Sequence, residues 1–192
     1  MFSILTHFLQ ILWENRKKGD IGNDCLISVD GTDFKVTCND AAFRSYKFRK
    51  NGLRYEVGIC IMTGHIVWLM GPFPAGDWND ITIFRFALKH MLEEHERVEA
   101  DDGYRGENPG AAKIPGSQYH NHDKKQKKVR GKVRSRQEGV NRLFKLFKIL
   151  DGRFDHDMGI HGIVVRAVVV LVQLSLENGF LSVFDVSEYE DP

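Results

Sequence analysis

The sequence predicts a mixed α/β fold, a sheet with helices on its faces. Two apolar, β-branched runs at residues 54–62 and 65–70 flank a glycine-bearing turn at 63–64, a pattern typical of an antiparallel hairpin. A helix over 80–96 with an apolar stripe and a short strand over 97–100 follow. An antiparallel hairpin followed by alternating helix and strand favours a mixed sheet that helices cover.

The N-terminal segment, residues 1–24, is predicted to begin as a helix. Residues 14–23 are polar with two glycines and are expected to form a connection. The start of the chain lacks the basic leading segment and the small-residue cleavage site of a signal peptide. The helix is predicted over 1–13 because these apolar residues recur at helical spacing: Leu5, Phe8, Leu9, Leu12 and Trp13.

The first strand is predicted over 25–29, which is apolar and partly β-branched, and we expect it to end at Asp30. Residues 32–37 alternate well enough to continue as a strand at the edge. Asp80 is expected at the N-cap of the helix that it opens. The short strand after this helix is expected to end at Asp101, just before a glycine turn.

The second half of the chain is predicted to hold a long basic loop at about 106–134 and two helices. Helical spacing indicates one helix over 137–150 and a last one over 162–177. These elements fit a single domain over 25–192, and the RNase H-like arrangement has this order of strands and helices.

Charge and cysteine content narrow the class of protein. The 192-residue chain has a net charge of +1, so its overall charge does not indicate nucleic acid. Its three cysteines show no Cys-x-x-Cys spacing, which favours a reduced, intracellular compartment over a disulfide framework. The apolar run at 163–176 contains Arg166 and Gln173 and is short for a bilayer, so we expect a buried helix and no membrane partner.

Three carboxylates stand in three separate motifs: Asp30 in Val-Asp-Gly-Thr, Asp101 in Asp-Asp-Gly-Tyr, and Glu138 in Arg-Ser-Arg-Gln-Glu. Taken singly, the two aspartates are ordinary turn residues, and the glutamate is an acid in a first helical turn. Their order on strand, strand end and helix is more informative. Two divalent ions about 3.5–4 Å apart cleave phosphodiesters, and Mg²⁺ prefers oxygen ligands. The pattern predicts such a two-metal site.

Several stretches, in order, resemble the catalytic domain of DDE-superfamily endonucleases related to Harbinger-type transposases. The resemblance covers nearly the whole chain from about Trp13 onward. It is carried by VDGTDF (29–34), KFRKNGLRYEVGI (47–59), GHIVWLMGPFPAGDWNDITIFR (64–85), DDGYRG (101–106), RSRQEGVNRLFKLFKIL (134–150) and RFDHDMGIHGIVVRAVVVLVQL (153–174).

The resemblance implies an RNase H-like fold and DNA strand cleavage with Mg²⁺ or Mn²⁺. It carries the catalytic and metal-binding triad onto Asp30, Asp101 and Glu138. Asp80 is implied as an extra polar group near the metals. In such families the acid stands two residues before the glycine of the Gly-Tyr pair, which selects Asp101, although Asp102 is adjacent.

One feature departs from the family, because its transposases carry a separate N-terminal DNA-binding region and only 29 residues precede Asp30 here. The expectation is therefore a fragment or a domesticated relative, with a separate protein as a possible source of DNA recognition. The alternative function is a catalytically silent DNA- or protein-binding module. The oligomeric state stays open, and a nuclear location follows from the resemblance together with the basic run.

The basic residues allow two interpretations. The run at 124–136 is more than half Lys and Arg, and it is either a solvated loop or an arm that binds DNA phosphates. The cluster of Lys47, Arg49 and Lys50 leaves the same choice. A zinc site is not favoured at His120, His122 and Asp123. Structural roles are expected for His156, His161, Trp68, Trp78 and Phe84.

Overall fold

The computed structural model describes residues 11–19, 24–114 and 124–179. Its strands are β1 (Cys25–Lys35), β2 (Gly52–Cys60), β3 (Ile66–Pro74), β4 (Arg97–Glu99) and β5 (Ala112–Lys113). Its α-helices are α1 (Asp80–Phe86), α2 (Lys124–Phe144), α3 (Lys148–Asp151) and α4 (His161–Glu177). Short 3₁₀ helices cover Trp13–Lys17, Ala41–Phe43, Leu88–Met91, Asp102–Tyr104 and Met158–Ile160.

The five strands form one mixed sheet in the order β3-β2-β1-β4-β5. Strands β1, β2 and β3 pair antiparallel, whereas β4 runs parallel to β1 and β5 runs parallel to β4. Every residue of β2 is buried, because helices cover both faces of the sheet at its centre. The predicted mixed sheet with flanking helices is confirmed, and it is consistent with the RNase H-like arrangement.

The prediction that the first strand ends at Asp30 is wrong, because β1 runs without a break to Lys35, whereas the predicted strand continuation over 32–37 is confirmed as far as Lys35. Strand β1 continues to Lys35 because β2 pairs with it along its length, from Ile27 opposite Cys60 to Lys35 opposite Gly52. Only its first part pairs with β4, where Ser28 lies opposite Glu99. Asp30 therefore lies in the middle of a strand but just beyond the end of its parallel neighbour.

Helix α1 also differs from the prediction. Asn79, rather than Asp80, is the N-cap, because the Asn79 side chain accepts a hydrogen bond from the Thr82 backbone N–H at 2.9 Å. Asp80 is the first residue inside the helix. The helix ends at Phe86, since Ala87 has φ −131° and ψ −70°, and a 3₁₀ turn follows instead of a continuation to residue 96.

The N-terminal helix predicted over 1–13 lies mostly outside the described residues. A 3₁₀ helix over Trp13–Lys17 occupies part of the segment that was predicted as a connection, which corrects that prediction. Its Arg16 side chain is buried and donates hydrogen bonds to Glu96 at 2.9 Å and Glu93 at 2.9 Å. This ion pair fixes the entry of the chain against the turn that precedes β4.

The long basic loop predicted at about 106–134 is wrong over its second described part, which is helical, whereas residues 106–111 and 114 are irregular as expected. Strand β5 lies within it, and α2 begins at Lys124. The helix forms because the basic run contains residues that the fold buries, among them Val133, Arg130 and Arg136. His120, His122 and Asp123 lie outside the described residues. The helix predicted over 137–150 is broken at Phe147, which has extended geometry before α3.

Helix α4 matches the predicted last helix within one residue. One face is buried in the core, and Ile163 and Leu171 are exposed on the other. By length and composition alone the span Met158–Glu177, with mean hydropathy 1.9, could cross a membrane, which the shorter run at 163–176 did not indicate. In this structure α4 packs on the sheet and α2, and the absence of a membrane partner stays a prediction.

His161 begins α4 in the middle of the core and is structural, as expected. Its Nδ1 lies 2.7 Å from the Tyr55 hydroxyl, and its ring stacks on the Tyr55 ring at 5.7 Å between centroids. Burial lowers the pKa of His161 to about 4, so the imidazole is neutral in the folded protein near pH 7.

We expect acid to destabilise the protein through His161. As the pH falls from 6.5, the unfolded chain binds a proton that the folded chain does not bind until about pH 4, so stability decreases over this window. A shift of this size corresponds to about 3 kcal/mol. Urea unfolding at several pH values gives the free energy of unfolding as a function of pH. This free energy should fall less steeply with decreasing pH for His161→Asn than for the wild type. The control variant His90→Asn, at an exposed position, should keep the pH dependence of the wild type. The same pH dependence in all three proteins would contradict the role of His161 in acid destabilisation.

Candidate active site

Strand β1 places Asp30 just beyond the point where its parallel neighbour β4 ends. Side chains alternate between the two faces of a strand, so Val29 is buried on one face while Asp30 points to the other. Because β4 ends short of this point, the Asp30 carboxylate is reached by water, with 22% of its side chain exposed.

Asp101 follows the neighbouring parallel strand β4, so it lies at the carboxyl end of that strand, on the level of Asp30. Its Oδ1 accepts a hydrogen bond from the Gly103 backbone N–H at 2.8 Å, which fixes the turn. Asp102 instead faces solvent and pairs with Arg105 at 2.9 Å. Of these two acids, Asp101 is the one whose charge acts on Asp30.

Asp80, at the start of α1, is the buried acid between the two aspartate motifs. A Cβ atom at Gly31 would lie 1.9 Å from Asp80 Oδ1, and one at Gly103 would lie 2.7 Å from Asp80 Oδ2. The glycines of both motifs are therefore required by the close approach of Asp80. The structure thus brings Asp30, Asp80 and Asp101 together.

This crowding of carboxylates changes the chemistry of Asp30. Its pKa is raised to about 6, chiefly by burial, and the negative charges of Asp101 and Asp80 add to the rise. Lys47 opposes it. The acidic cluster, Asp30, Asp80 and Asp101, therefore has an excess of negative charge that a cation would relieve.

Lys47 lies over this acidic cluster. From the sequence, Lys47 was expected only to be part of a basic cluster with Arg49 and Lys50. Its Nζ donates a hydrogen bond to the Gly31 carbonyl at 2.5 Å. The same Nζ is 3.7 Å from Asp80 Oδ2 and 4.0 Å from Asp30 Oδ1. The ammonium is therefore a neighbour of two carboxylates without a close bond to either.

Arg54 of β2 forms ion pairs with Asp80 of the cluster and with the neighbouring Asp33. Its guanidinium donates to Asp33 Oδ1 at 2.6 Å and Oδ2 at 2.9 Å, and to the Trp78 carbonyl at 3.1 Å. Its Nη1 lies 3.4 Å from Asp80 Oδ1, an ion pair that does not meet hydrogen-bond geometry. Asp33 also accepts a hydrogen bond from Ser45. One buried cation thus links three chain segments.

Helix α2 crosses β1 and contacts it through two amide side chains. Gln137 accepts a bond from the Ser28 hydroxyl at 2.7 Å and donates to the Val57 carbonyl at 3.1 Å. One turn later, Asn141 Nδ2 donates to Asp30 Oδ2 at 2.8 Å. The Asn141 Oδ1 is buried without a hydrogen-bond partner beside Asp30. Residues four apart on a helix share a face, so this face follows the strand.

Glu138 is not brought into the acidic cluster. It is exposed on α2, next to Gln137 and one turn before Asn141, and its charge is not among those that act on Asp30. Within residues 11–19, 24–114 and 124–179, no three or more His, Cys, Asp and Glu side chains form a ready metal-binding group. The predicted triad therefore stays a prediction, with two of its three members in the cluster.

The basic run divides into buried and exposed residues. Arg130 donates to Glu99 of β4 at 2.6 Å, and Arg136 donates to the Ile61 carbonyl at 2.6 Å, so both hold the helix on the sheet. Arg134 and Arg142 are exposed, four residues before and four after Glu138. Among the side chains that the structure describes on α2, these exposed arginines do not hold the helix on the sheet, so they are available for phosphates.

Beneath the cluster lies a buried acid that the sequence did not single out. Glu56 of β2 accepts hydrogen bonds from Trp68 Nε1 at 2.9 Å and from the Tyr104 hydroxyl at 3.2 Å. Burial raises the pKa of Glu56 to about 8, so it is largely neutral near pH 7. Tyr104 belongs to the Asp101 motif, so Glu56 also supports that turn. No simple spacing rule marks such an acid within an apolar strand.

The donors of the acidic cluster are of the type that a hard divalent cation prefers, although the described acids are not arranged as a ready metal-binding group. Mg²⁺ and Mn²⁺ are bound by carboxylate and carbonyl oxygens, and the carboxylates of Asp30, Asp80 and Asp101 converge beside the carbonyl of Gly31. The unpartnered amide oxygen of Asn141 is a further donor at this place.

A comparison with protein families identifies the superfamily of the chain. The family model described as DDE superfamily endonuclease matches residues 29–173, which include all the acids described above. No curated protein and no solved structure matches the chain.

Replacing Arg54 should destabilise the protein strongly. Arg54→Met would leave Asp33 and Asp80 buried without their cation, and removing one partner of a buried ion pair costs about 3–5 kcal/mol. Urea unfolding at pH 7 measures the loss. The exposed Arg44→Met control should change little, and the double variant Asp33→Asn/Arg54→Met should recover part of the loss. A loss no larger than that of the control would contradict the role of Arg54.

Proposed function

This chain belongs to the DDE superfamily endonuclease family, and we propose that it is a divalent-metal-dependent nuclease that cleaves phosphodiester bonds in DNA. The observation that carries the proposal is the convergence of Asp30, Asp80 and Asp101 near the carboxyl end of β4. Such a concentration of carboxylates is costly for a folded protein without a cation to bind. A member of a nuclease family has a use for it in the reaction.

Asp30 and Asp101 are proposed to hold the metal ions, with Glu138 as the third ligand. A bound Mg²⁺ or Mn²⁺ would supply Lewis-acid stabilisation and an activated water, with two ions in the mechanism inferred from the sequence. Asn141 fixes the orientation of Asp30 through its 2.8 Å hydrogen bond. Glu138 is exposed on the same helix, so its carboxylate is open to solvent and to substrate.

The DNA backbone is proposed to contact the exposed face of α2. Arg134 and Arg142 flank Glu138 at a spacing of four residues, which puts all three on one side of the helix. Phosphates bound there would lie beside the proposed third ligand. Arg130 and Arg136 are excluded from this role because they are buried against the sheet. The finer assignment to Harbinger-type elements, a separate DNA-binding partner and a nuclear location belong to the same proposal.

A second candidate function is a catalytically silent module that binds DNA or protein. One observation favours it, since Glu138 stands apart from the acidic cluster in this structure. A silent module has no need for the buried Asp80 or for the glycines that make room for it. We therefore rank the nuclease first.

The nuclease predicts metal-dependent nicking of a supercoiled plasmid by the purified chain. Nicking should require Mg²⁺ or Mn²⁺, and Asp30→Asn, Asp101→Asn and Glu138→Gln should each lower the rate roughly 100-fold or more, because each removes a carboxylate proposed to hold a metal ion that stabilises the transition state. Gel electrophoresis of the plasmid forms measures the rate. Asp102→Asn is the matched control, since it removes an adjacent acid that faces solvent.

The outcomes separate the two candidate functions. Nicking that the Asp102→Asn variant keeps and the other three lose supports the nuclease and the choice of Asp101. Equal nicking by all variants would indicate a contaminant and contradict the proposed site. DNA binding by electrophoretic mobility shift without nicking in either metal would favour the silent module.

A further inference from the structure

The ammonium of Lys47 lies among the oxygen atoms of the acidic cluster. It lies 2.5 Å from the Gly31 carbonyl, 3.7 Å from Asp80 and 4.0 Å from Asp30. A divalent cation would use the same oxygens, because carbonyl and carboxylate groups are its preferred ligands. Lysine and metal therefore have overlapping binding sites.

The loop that carries Lys47 is held in place. The Ser45 backbone N–H donates to the Lys50 carbonyl at 2.9 Å, and the Arg49 N–H donates to the Ser45 carbonyl at 2.9 Å. Ser45 is fully buried, and its hydroxyl donates to Asp33. Since Asp33 is bound by Arg54, the loop and the acidic cluster share one anchor. The position of Lys47 over the carboxylates is built into the fold.

Lys47 has one close contact, its 2.5 Å hydrogen bond to the Gly31 carbonyl, and its contacts with the carboxylates are loose. Its two ion pairs measure 3.7 and 4.0 Å, against 2.6 Å for the pair of Arg54 with Asp33. The Lys47 side chain is 42% exposed, so the ammonium can move into water without being buried elsewhere. A lysine is a compact charge on a flexible chain, which suits it to reversible occupation.

We propose that Lys47 is a built-in counter-ion of the acidic cluster and that a divalent metal displaces it. The inference rests on the proposed function, because it needs the cluster to bind metal. In the metal-free protein, Lys47 offsets the repulsion between Asp30 and Asp80. When the metal binds, it takes over this role and the ammonium moves out to solvent. The affinity for metal is therefore set partly by competition with a residue of the chain itself.

The first test measures Mn²⁺ affinity without any enzymatic reaction. Electron paramagnetic resonance of free Mn²⁺ gives the Kd for the wild type, Lys47→Met and Lys47→Arg. Lys47→Met should lower the Kd roughly tenfold, a size typical of coupling between two binding events. Lys47→Arg keeps the competing charge and should stay near the wild type. An unchanged or higher Kd for Lys47→Met would overturn the proposal.

Lys50→Met is the matched control. It removes the same charge from the exposed end of the same loop, so it reports the general effect of net charge on Mn²⁺ binding. We expect less than a twofold change in the Kd. A decrease as large as that of Lys47→Met would overturn the proposal, because the effect would then not depend on the position of the ammonium.

The second test uses the wild-type chain, so it does not depend on the folding of a variant. Reductive methylation followed by mass spectrometry reports how accessible each lysine amine is. Saturating Mg²⁺ should raise the labelling rate of Lys47 several-fold relative to that of Lys50. A rate for Lys47 that is unchanged or lower in Mg²⁺ would overturn the displacement.

Asp30→Asn separates this inference from the function on which it rests. If Asp30→Asn leaves Mn²⁺ binding unchanged, the metal site itself is wrong and both proposals fail. If Asp30→Asn weakens binding but Lys47→Met does not strengthen it, the metal site stands and only the role of Lys47 is overturned.

Discussion

The buried guanidinium of Arg54 is the interaction on which the rest of this site depends. It binds Asp33 with two hydrogen bonds and lies 3.4 Å from Asp80. It therefore neutralises buried carboxylates whose unpaired charge would destabilise the fold. Through Asp33 it also fixes Ser45 and with it the loop above the site. Asp80 can approach β1 only because Gly31 has no side chain. One cation from strand β2 therefore sets the position of carboxylates from two other segments.

Helix α2 is fixed to the sheet by polar contacts at both ends of its buried face. Arg130 binds Glu99 at the end of β4, whereas Asn141 binds Asp30 of β1. The same helix that orients a carboxylate also carries exposed arginines beside its buried face, at Arg134 and Arg142. Within the basic run, burial decides which of the described residues hold the helix on the sheet.

Much of the fold was predictable because it follows from short-range pattern. The hairpin of β2 and β3, the last helix and the position of Asp101 after β4 were expected from alternation, helical spacing and a glycine turn. The errors have a common cause. Strand β1 is long because β2 pairs with it, and the basic run is helical because the core buries part of it. Pairing and burial depend on distant residues that local pattern does not contain.

By itself the sequence determined the class of fold and two of the acids that meet, because Asp30 directly precedes a glycine in one strand and Asp101 stands two residues before a glycine after the neighbouring strand. Only the tertiary structure decided what surrounds them. It placed Lys47 over the carboxylates and Asn141 against Asp30, and it left Glu138 exposed. The physical reason is that charge is balanced between residues far apart in the chain. Such a balance depends on distances in space, and only the folded sheet fixes those distances.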